Sequence, residues 1–191
     1  MRHSPLVVLL SITPFFAACD SAGSITDPVR PAAPALAVAS ASAAANSHPV
    51  QLIDQCDPDS FNAIIGPGTC VRDHPGVTFD TFISQLTNHQ TAPAWRNAPS
   101  NLSATFGETL VALNRGGEFH TFTKVAAFGG GVLQILNQLA GTPVPAPECL
   151  AAPPSEYIGP GGVDSDVIDQ HGTAYYQCCI HPWMKTTVKV K

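Results

Sequence analysis

Near the C-terminal end the chain sets a thiol, an imidazole and a thioether within seven residues: Cys178-Cys179-Ile180-His181-Pro182-Trp183-Met184. A soft thiolate and a neutral imidazole bind copper in either oxidation state, and a long axial thioether lets the ion change charge with little ligand movement. The spacing Cys-x-x-His-x-x-Met therefore reads as part of a site for one copper ion. One tight loop cannot supply every equatorial donor of a trigonal site, so a second imidazole must come from elsewhere. His120 is the candidate, because it follows Gly116-Gly117-Glu118-Phe119 and opens a short apolar strand from which its ring can point back at the loop.

The doubled cysteine raises the question of which sulfur binds. Only Cys178 keeps two residues before His181. Adjacent residues of a strand face opposite sides, so Cys179 is expected to point away from the metal. A binuclear copper site needs two cysteines on one side, several residues apart, and this pair does not offer that. The competing reading of the loop is a disulfide-bonded turn whose His and Met are incidental.

The order of one His, then Cys, His and Met on a loop before the last strand resembles the cupredoxin (type 1 blue copper) family. The loop is similar to those of its amicyanin and plastocyanin branches, and closest to the amicyanin pattern Cys-x-x-His-Pro-aromatic-Met. That resemblance implies an all-β, Greek-key β-sandwich, with His120, Cys178 and His181 as equatorial copper ligands and Met184 as the axial one. It implies a one-electron carrier rather than an enzyme, with a redox protein as partner and His181 as the electron port. Pro182 and Trp183 are then expected around a partly exposed edge of His181 as an apolar docking patch, core packing being the competing role for Trp183. Asn114 and Thr121 are candidates for hydrogen bonds to the Cys178 sulfur or between the two ligand-bearing segments, or else ordinary loop side chains. The interval from His120 to Cys178 is longer than in small cupredoxins, and it carries Cys149 and the triplet Gly129-Gly130-Gly131.

With Cys178 assigned to copper and Cys19 to lipid, Cys56, Cys70, Cys149 and Cys179 remain, enough for two disulfides in an oxidising compartment. The local pairings are Cys56 with Cys70 and Cys149 with Cys179, and sequence leaves the other two pairings open. By the family resemblance, the second pair braces the copper site as a disulfide does in plant phytocyanins.

The elements that must position these residues are short. Of the 191 residues 45% are hydrophobic and 12% charged, and 18 prolines with 15 glycines interrupt the chain too often for long helices. Strands are expected over 102–106, 109–114, 119–125, 163–168, 174–178 and 186–191. In the last, Val188 and Val190 alternate with Thr187, Lys189 and Lys191. A short helical insertion is expected over 132–139. Apolar residues at Phe79, Phe82, Ile83 and Leu86 give a helical period, although β-branched neighbours leave a strand open there.

Ahead of this lies an export-type leader over 1–18, with Arg2 and an apolar run, ending in Phe16-Ala17-Ala18-Cys19. It resembles the lipobox of bacterial lipoproteins, in which Cys19 becomes the lipidated residue, although Phe16 stands where Leu is usual. Asp20 next to it hints at the inner membrane. Residues 19–48 are rich in Ala, Pro and Ser and read as a flexible tether. A small N-terminal module follows over 49–89, and the copper domain over 90–191.

The expected setting is thus the periplasm-facing cell envelope, with the membrane met only through the lipid anchor, or secretion as the alternative. The net charge of −5 gives no reason to expect nucleic acid. No His-x-His pair and no Gly-x-Ser-x-Gly motif occurs, so neither a multicopper cluster nor a hydrolase elbow is visible. Two other functional readings use the same residues: copper binding or trafficking without electron transfer, and a metal-free β-sandwich interaction module.

Overall fold

Alternation of buried and exposed side chains builds both sheets of this protein. The computed structural model describes residues 46–191. The leader, Cys19 and the tether as far as residue 45 lie outside the described residues. Among those described, no helix is long and apolar enough to cross a membrane.

The elements in chain order are β1 (Ser47–Ile53), α1 (Pro58–Ile64), α2 (Phe79–His89), β2 (Arg96–Ala98), β3 (Asn101–Ala104), β4 (Thr109–Asn114) and β5 (Thr123–Val125). Then come α3 (Gln134–Leu139), α4 (Pro147–Ala151), β6 (Val163–Val167), β7 (Gly172–Gln177) and β8 (Lys185–Val190). One four-stranded sheet has the order β2-β1-β4-β6 and the other β3-β8-β7-β5. Each mixes one parallel pair, β1 with β4 and β3 with β8, with antiparallel neighbours. This is an all-β sandwich of two four-stranded sheets.

Its core comes from every second residue of the inner strands. Val50 and Leu52 of β1, Leu110 and Ala112 of β4, Ala174 and Tyr176 of β7, and Val188 and Val190 of β8 are all buried in one cluster. The period-2 pattern of the last strand thus holds, with Thr186 buried and Lys189 exposed. Strands β3 and β4, which flank Gly107-Glu108, lie in opposite sheets, so that turn carries the chain from one layer to the other.

Residues 49–89 are expected as a separate module, but the strand at their head belongs to the sandwich. Strand β1 sits inside the first sheet, with Val50 opposite Ala112 of β4. The boundary expected at residue 49 therefore falls within a strand. The reason is parallel pairing: β1 finds its partner some sixty residues on, and nothing local in the sequence announces that. The 79–86 pattern resolves as helix α2, capped by Thr78, whose hydroxyl accepts the Thr81 N–H, and ended by Gln90 in the left-handed conformation. Its apolar face buries Phe82 and Leu86. Phe82 packs with tilted rings against Trp95 at 4.5 Å and Phe61 of α1 at 5.5 Å, forming an aromatic lid over one end of the sandwich.

Candidate metal centre

Two ligand-bearing segments meet near that lid. Strand β7 ends at Gln177, and the chain turns through Cys178 to Met184 before β8. The turn is closed by its own backbone, with the Cys178 N–H donating to the Met184 carbonyl at 3.0 Å and the Met184 N–H donating to the His181 carbonyl at 2.9 Å. The two ends of the loop are thereby pinned, with Cys178 and Met184 both completely buried. His120 arrives from the other direction, just before β5, where its backbone pairs with Ile158.

His120 Nδ1 and His181 Nδ1 each lie 3.7 Å from Cys178 Sγ. The ligand atoms of the three residues all fall within 4.8 Å of one another. This spacing would let one ion reach all three donors. Bonds of about 2.3 Å to a thiolate and about 2.0 Å to an imidazole nitrogen, the lengths found at zinc, set at the ~120° of a trigonal plane, hold sulfur and nitrogen ~3.7 Å apart. The donor set, two imidazoles and one thiolate with a thioether on the same loop, fits copper.

The neighbours of this fold among solved structures are cupredoxins. They include a purple cupredoxin from Nitrosopumilus maritimus, with 23% identity over 53% of this chain and 87% of that one at a TM-score of 0.37. The M98A mutant of amicyanin in its Cu(I) form shares 19% identity over 50% of this chain and 73% of its own, with a TM-score of 0.35. Oxidised plastocyanin from Dryopteris crassirhizoma aligns over 75% of this chain and all of its own length at 13% identity and a TM-score of 0.38. No family model matches the sequence, and no curated protein matches it. The copper reading rests on the site geometry rather than on these distant overlaps.

The loop sends its two cysteines to opposite sides, as the alternation of extended chain predicts. Among the described residues Cys178 is the free thiol, facing the main core, whereas Cys179 points into a second cluster and is bonded to Cys149. The other disulfide joins Cys56 to Cys70. Gly131 lets the insertion run directly behind the loop: a Cβ there would sit 1.9 Å from the Cys179 carbonyl oxygen.

Of the two residues expected at these positions, Thr121 touches the Cys178 sulfur and the ligand loop, whereas Asn114 does not. The Thr121 N–H donates to Cys178 Sγ at 3.4 Å, as does the His181 N–H. The Thr121 hydroxyl accepts the Cys179 N–H at 2.8 Å, joining the two ligand-bearing segments. Asn114 lies further back; its amide donates to the Glu118 and Ile158 carbonyls, at 2.7 and 2.8 Å, and so fixes the segment that presents His120.

The surroundings of His181 differ from the expected open edge. His181 is 3% exposed. Trp183 packs edge-on against its ring at 5.5 Å and in turn meets Phe82 of α2 at 5.8 Å. Pro182 is buried and Trp183 half-buried, so these two cover the imidazole instead of framing an exposed edge. Of the lid residues, Phe61 and Phe82 come from the stretch expected as a separate N-terminal module and Trp95 from the start of the expected copper domain. What lies open beside His181 is an apolar groove of about 500 Å³ between the lid and the insertion, its floor including Glu118 and His181 and its rim Phe119, Ile135 and Ile180. Phe119 is 51% exposed there.

Two carboxylates beside the histidines were not anticipated. Asp54, just past β1, is completely buried and accepts a hydrogen bond from His120 Nε2 at 2.8 Å. Its oxygens also accept the N–H groups of Cys56, Gly117 and Glu118 at 3.2, 3.0 and 3.1 Å. Glu118 accepts the Trp95 indole N–H at 2.5 Å, and its Oε2 lies 3.6 Å from His181 Nε2. The glycine pair at 116–117 was a signal that could have pointed here. A Cβ on Gly116 would fall 1.7 Å from the Asp54 carboxylate, so a glycine there leaves room for the carboxylate to reach the following backbone amides.

The electrostatics of the site follow from these contacts. Burial alone would raise the Asp54 carboxyl, but the hydrogen bond and charge of His120 outweigh it and hold it at about 2. Burial works against a charged His120 as well, yet the contacts to Asp54 and then Cys178 lift its pKa to about 9. Burial would likewise raise the Cys178 thiol, and hydrogen bonds from His120 and His181 reverse this and bring it well below its usual range. Glu118 is pushed upward, chiefly by burial. The thiolate, which is the metal-binding form, is therefore favoured before any metal arrives.

Proposed function

We propose that this protein is a mononuclear type 1 copper protein of the cell envelope that carries one electron at a time and is not an enzyme. The observation that supports this most is the pair of 3.7 Å separations from Cys178 Sγ to the Nδ1 atoms of His120 and His181. His120, Cys178 and His181 would hold the ion in a plane, and Met184, buried on the same loop, would be the axial ligand. Bound there, copper supplies a single-electron couple between Cu(II) and Cu(I).

The chain's own residues keep that site rigid and dry. Loop hydrogen bonds and the Cys149–Cys179 disulfide restrain Cys178 from both sides. The N–H groups of Thr121 and His181 aimed at the sulfur stabilise its negative charge. The aromatic lid excludes water from His181. A redox partner protein would exchange electrons through the apolar groove beside His181. Two disulfides suit an oxidising compartment, and a lipidated Cys19 would tether the protein there.

The test loads the full chain with Cu(II), counts copper per chain, and titrates with graded reductant. The expected result is one copper and a reversible one-electron curve. Tight Cu(I) binding with no reversible couple favours a trafficking role instead, and absence of bound copper leaves a metal-free interaction module.

A further inference from the structure

Most of the polar groups that meet this site are backbone amides, which carry no net charge. Asp54 is the exception in kind: a fully buried carboxylate whose Oδ2 takes the Nε2–H of His120 at 2.8 Å. It is built into place. Three backbone N–H groups, from Cys56, Gly117 and Glu118, converge on its two oxygens. Gly116 leaves no room for any larger residue against it. A carboxylate satisfied by four donors is held in one orientation, and it holds its histidine in one orientation in turn.

Resting on the copper reading above, we propose that Asp54 is a positioning residue that sets the potential of the centre. It fixes His120 with Nε2 protonated and Nδ1 toward Cys178, and its negative charge weights the centre toward Cu(II). Two effects act in the same direction. A carboxylate accepting the Nε2–H makes the imidazole a more basic ligand, which favours the more positive ion. Reduction also adds negative charge next to a buried negative group, and such interactions are several times stronger inside a protein than in water. Glu118 provides a contrast within the same site. Its Oε2 is 3.6 Å from His181 Nε2 and already holds the Trp95 indole, so it makes no comparable bond to its histidine.

The experiment uses the full chain, copper-loaded, as wild type, Asp54→Asn, Glu118→Gln and the distant, exposed Asp73→Asn. Copper stoichiometry and the visible spectrum are recorded first, then the midpoint potential. A wild-type protein that binds no copper removes the copper reading itself, before any variant is compared. With copper bound, Asp54→Asn is expected to move the Cu(I)/Cu(II) equilibrium at least tenfold toward Cu(I). That is a rise of about 59 mV for one electron. Glu118→Gln moves it less, and Asp73→Asn leaves it unchanged. An Asp54→Asn protein that binds copper at the wild-type potential overturns the proposal, as does an equal rise in Asp73→Asn.

If Asp54→Asn fails to fold or to take copper, the reduced wild-type protein decides through its proton spectrum. A slowly exchanging, strongly downfield His120 Nε2–H resonance is the expected result. An Nε2 position that carries no proton, or one that exchanges freely with solvent, overturns the proposal.

Discussion

Thr121 and Cys179 are joined by a hydrogen bond from the Cys179 N–H to the Thr121 hydroxyl, 2.8 Å long and wholly buried. It links the segment carrying His120 to the loop carrying Cys178, one residue along from each ligand. Two parts of the chain some sixty residues apart are thereby held in the register that the donor set requires.

Thr121→Val keeps the shape and removes the acceptor. It leaves the Cys179 N–H buried without a partner, at a cost of about 1–3 kcal/mol. Thermal unfolding of the metal-free protein should show this loss, and Thr121→Ser should restore most of it. Equal melting of Thr121→Val and wild type would mean that the bond does not hold the two segments together.

The disulfide behind the loop braces the site without binding metal. Replacing Cys149 and Cys179 together by Ala should lower stability by about 2–5 kcal/mol, measured by urea unfolding. Copper uptake should remain, because Cys178 keeps its place between His120 and His181. Loss of copper in this double variant would move the metal-binding sulfur to Cys179.

Acid should act on the metal-free protein through Asp54. Its carboxyl is lowered from 3.8 to about 2 by His120, against the upward push of burial. A lowered carboxyl contributes stability that is fully present above its unfolded value and lost as pH falls through the folded one. Unfolding free energy measured against pH should therefore drop between about pH 4 and pH 2 more steeply in wild type than in Asp54→Asn. Parallel curves would contradict the pairing of Asp54 with His120.

The lid should control access to His181. Phe82 packs on Trp95, Phe61 and Trp183. Phe82→Ala should cost about 3–5 kcal/mol in stability while leaving the copper ligands in place. It should also speed oxidation of the reduced protein by a small hydrophilic oxidant, followed by stopped flow. An unchanged rate would show that the covering of His181 does not limit exchange.

The parts of the site that were legible in the sequence are those written locally. Cys178, His181 and Met184 sit at fixed short spacing, and strand parity separates Cys178 from Cys179, as the structure shows. The alternation of 186–191 and the helical period of 79–86 likewise describe what forms. The parts that were not legible depend on distant pairing. Asp54 reaches His120 only because β1 lies parallel to β4. The lid over His181 gathers Phe61, Phe82 and Trp95 from a stretch whose composition gave no sign of which end of the sandwich it would cover. The sequence therefore predicts a partly exposed edge for His181, although the residue is buried.

X-ray absorption at the copper edge of the loaded, oxidised full chain tests the central claim most directly. The account predicts one short copper–sulfur bond with two nitrogen neighbours at imidazole distance, and in Cys178→Ser the short sulfur bond is lost with its intense visible band. A copper environment without a short sulfur bond in wild type, or one that is identical in Cys178→Ser, would contradict it.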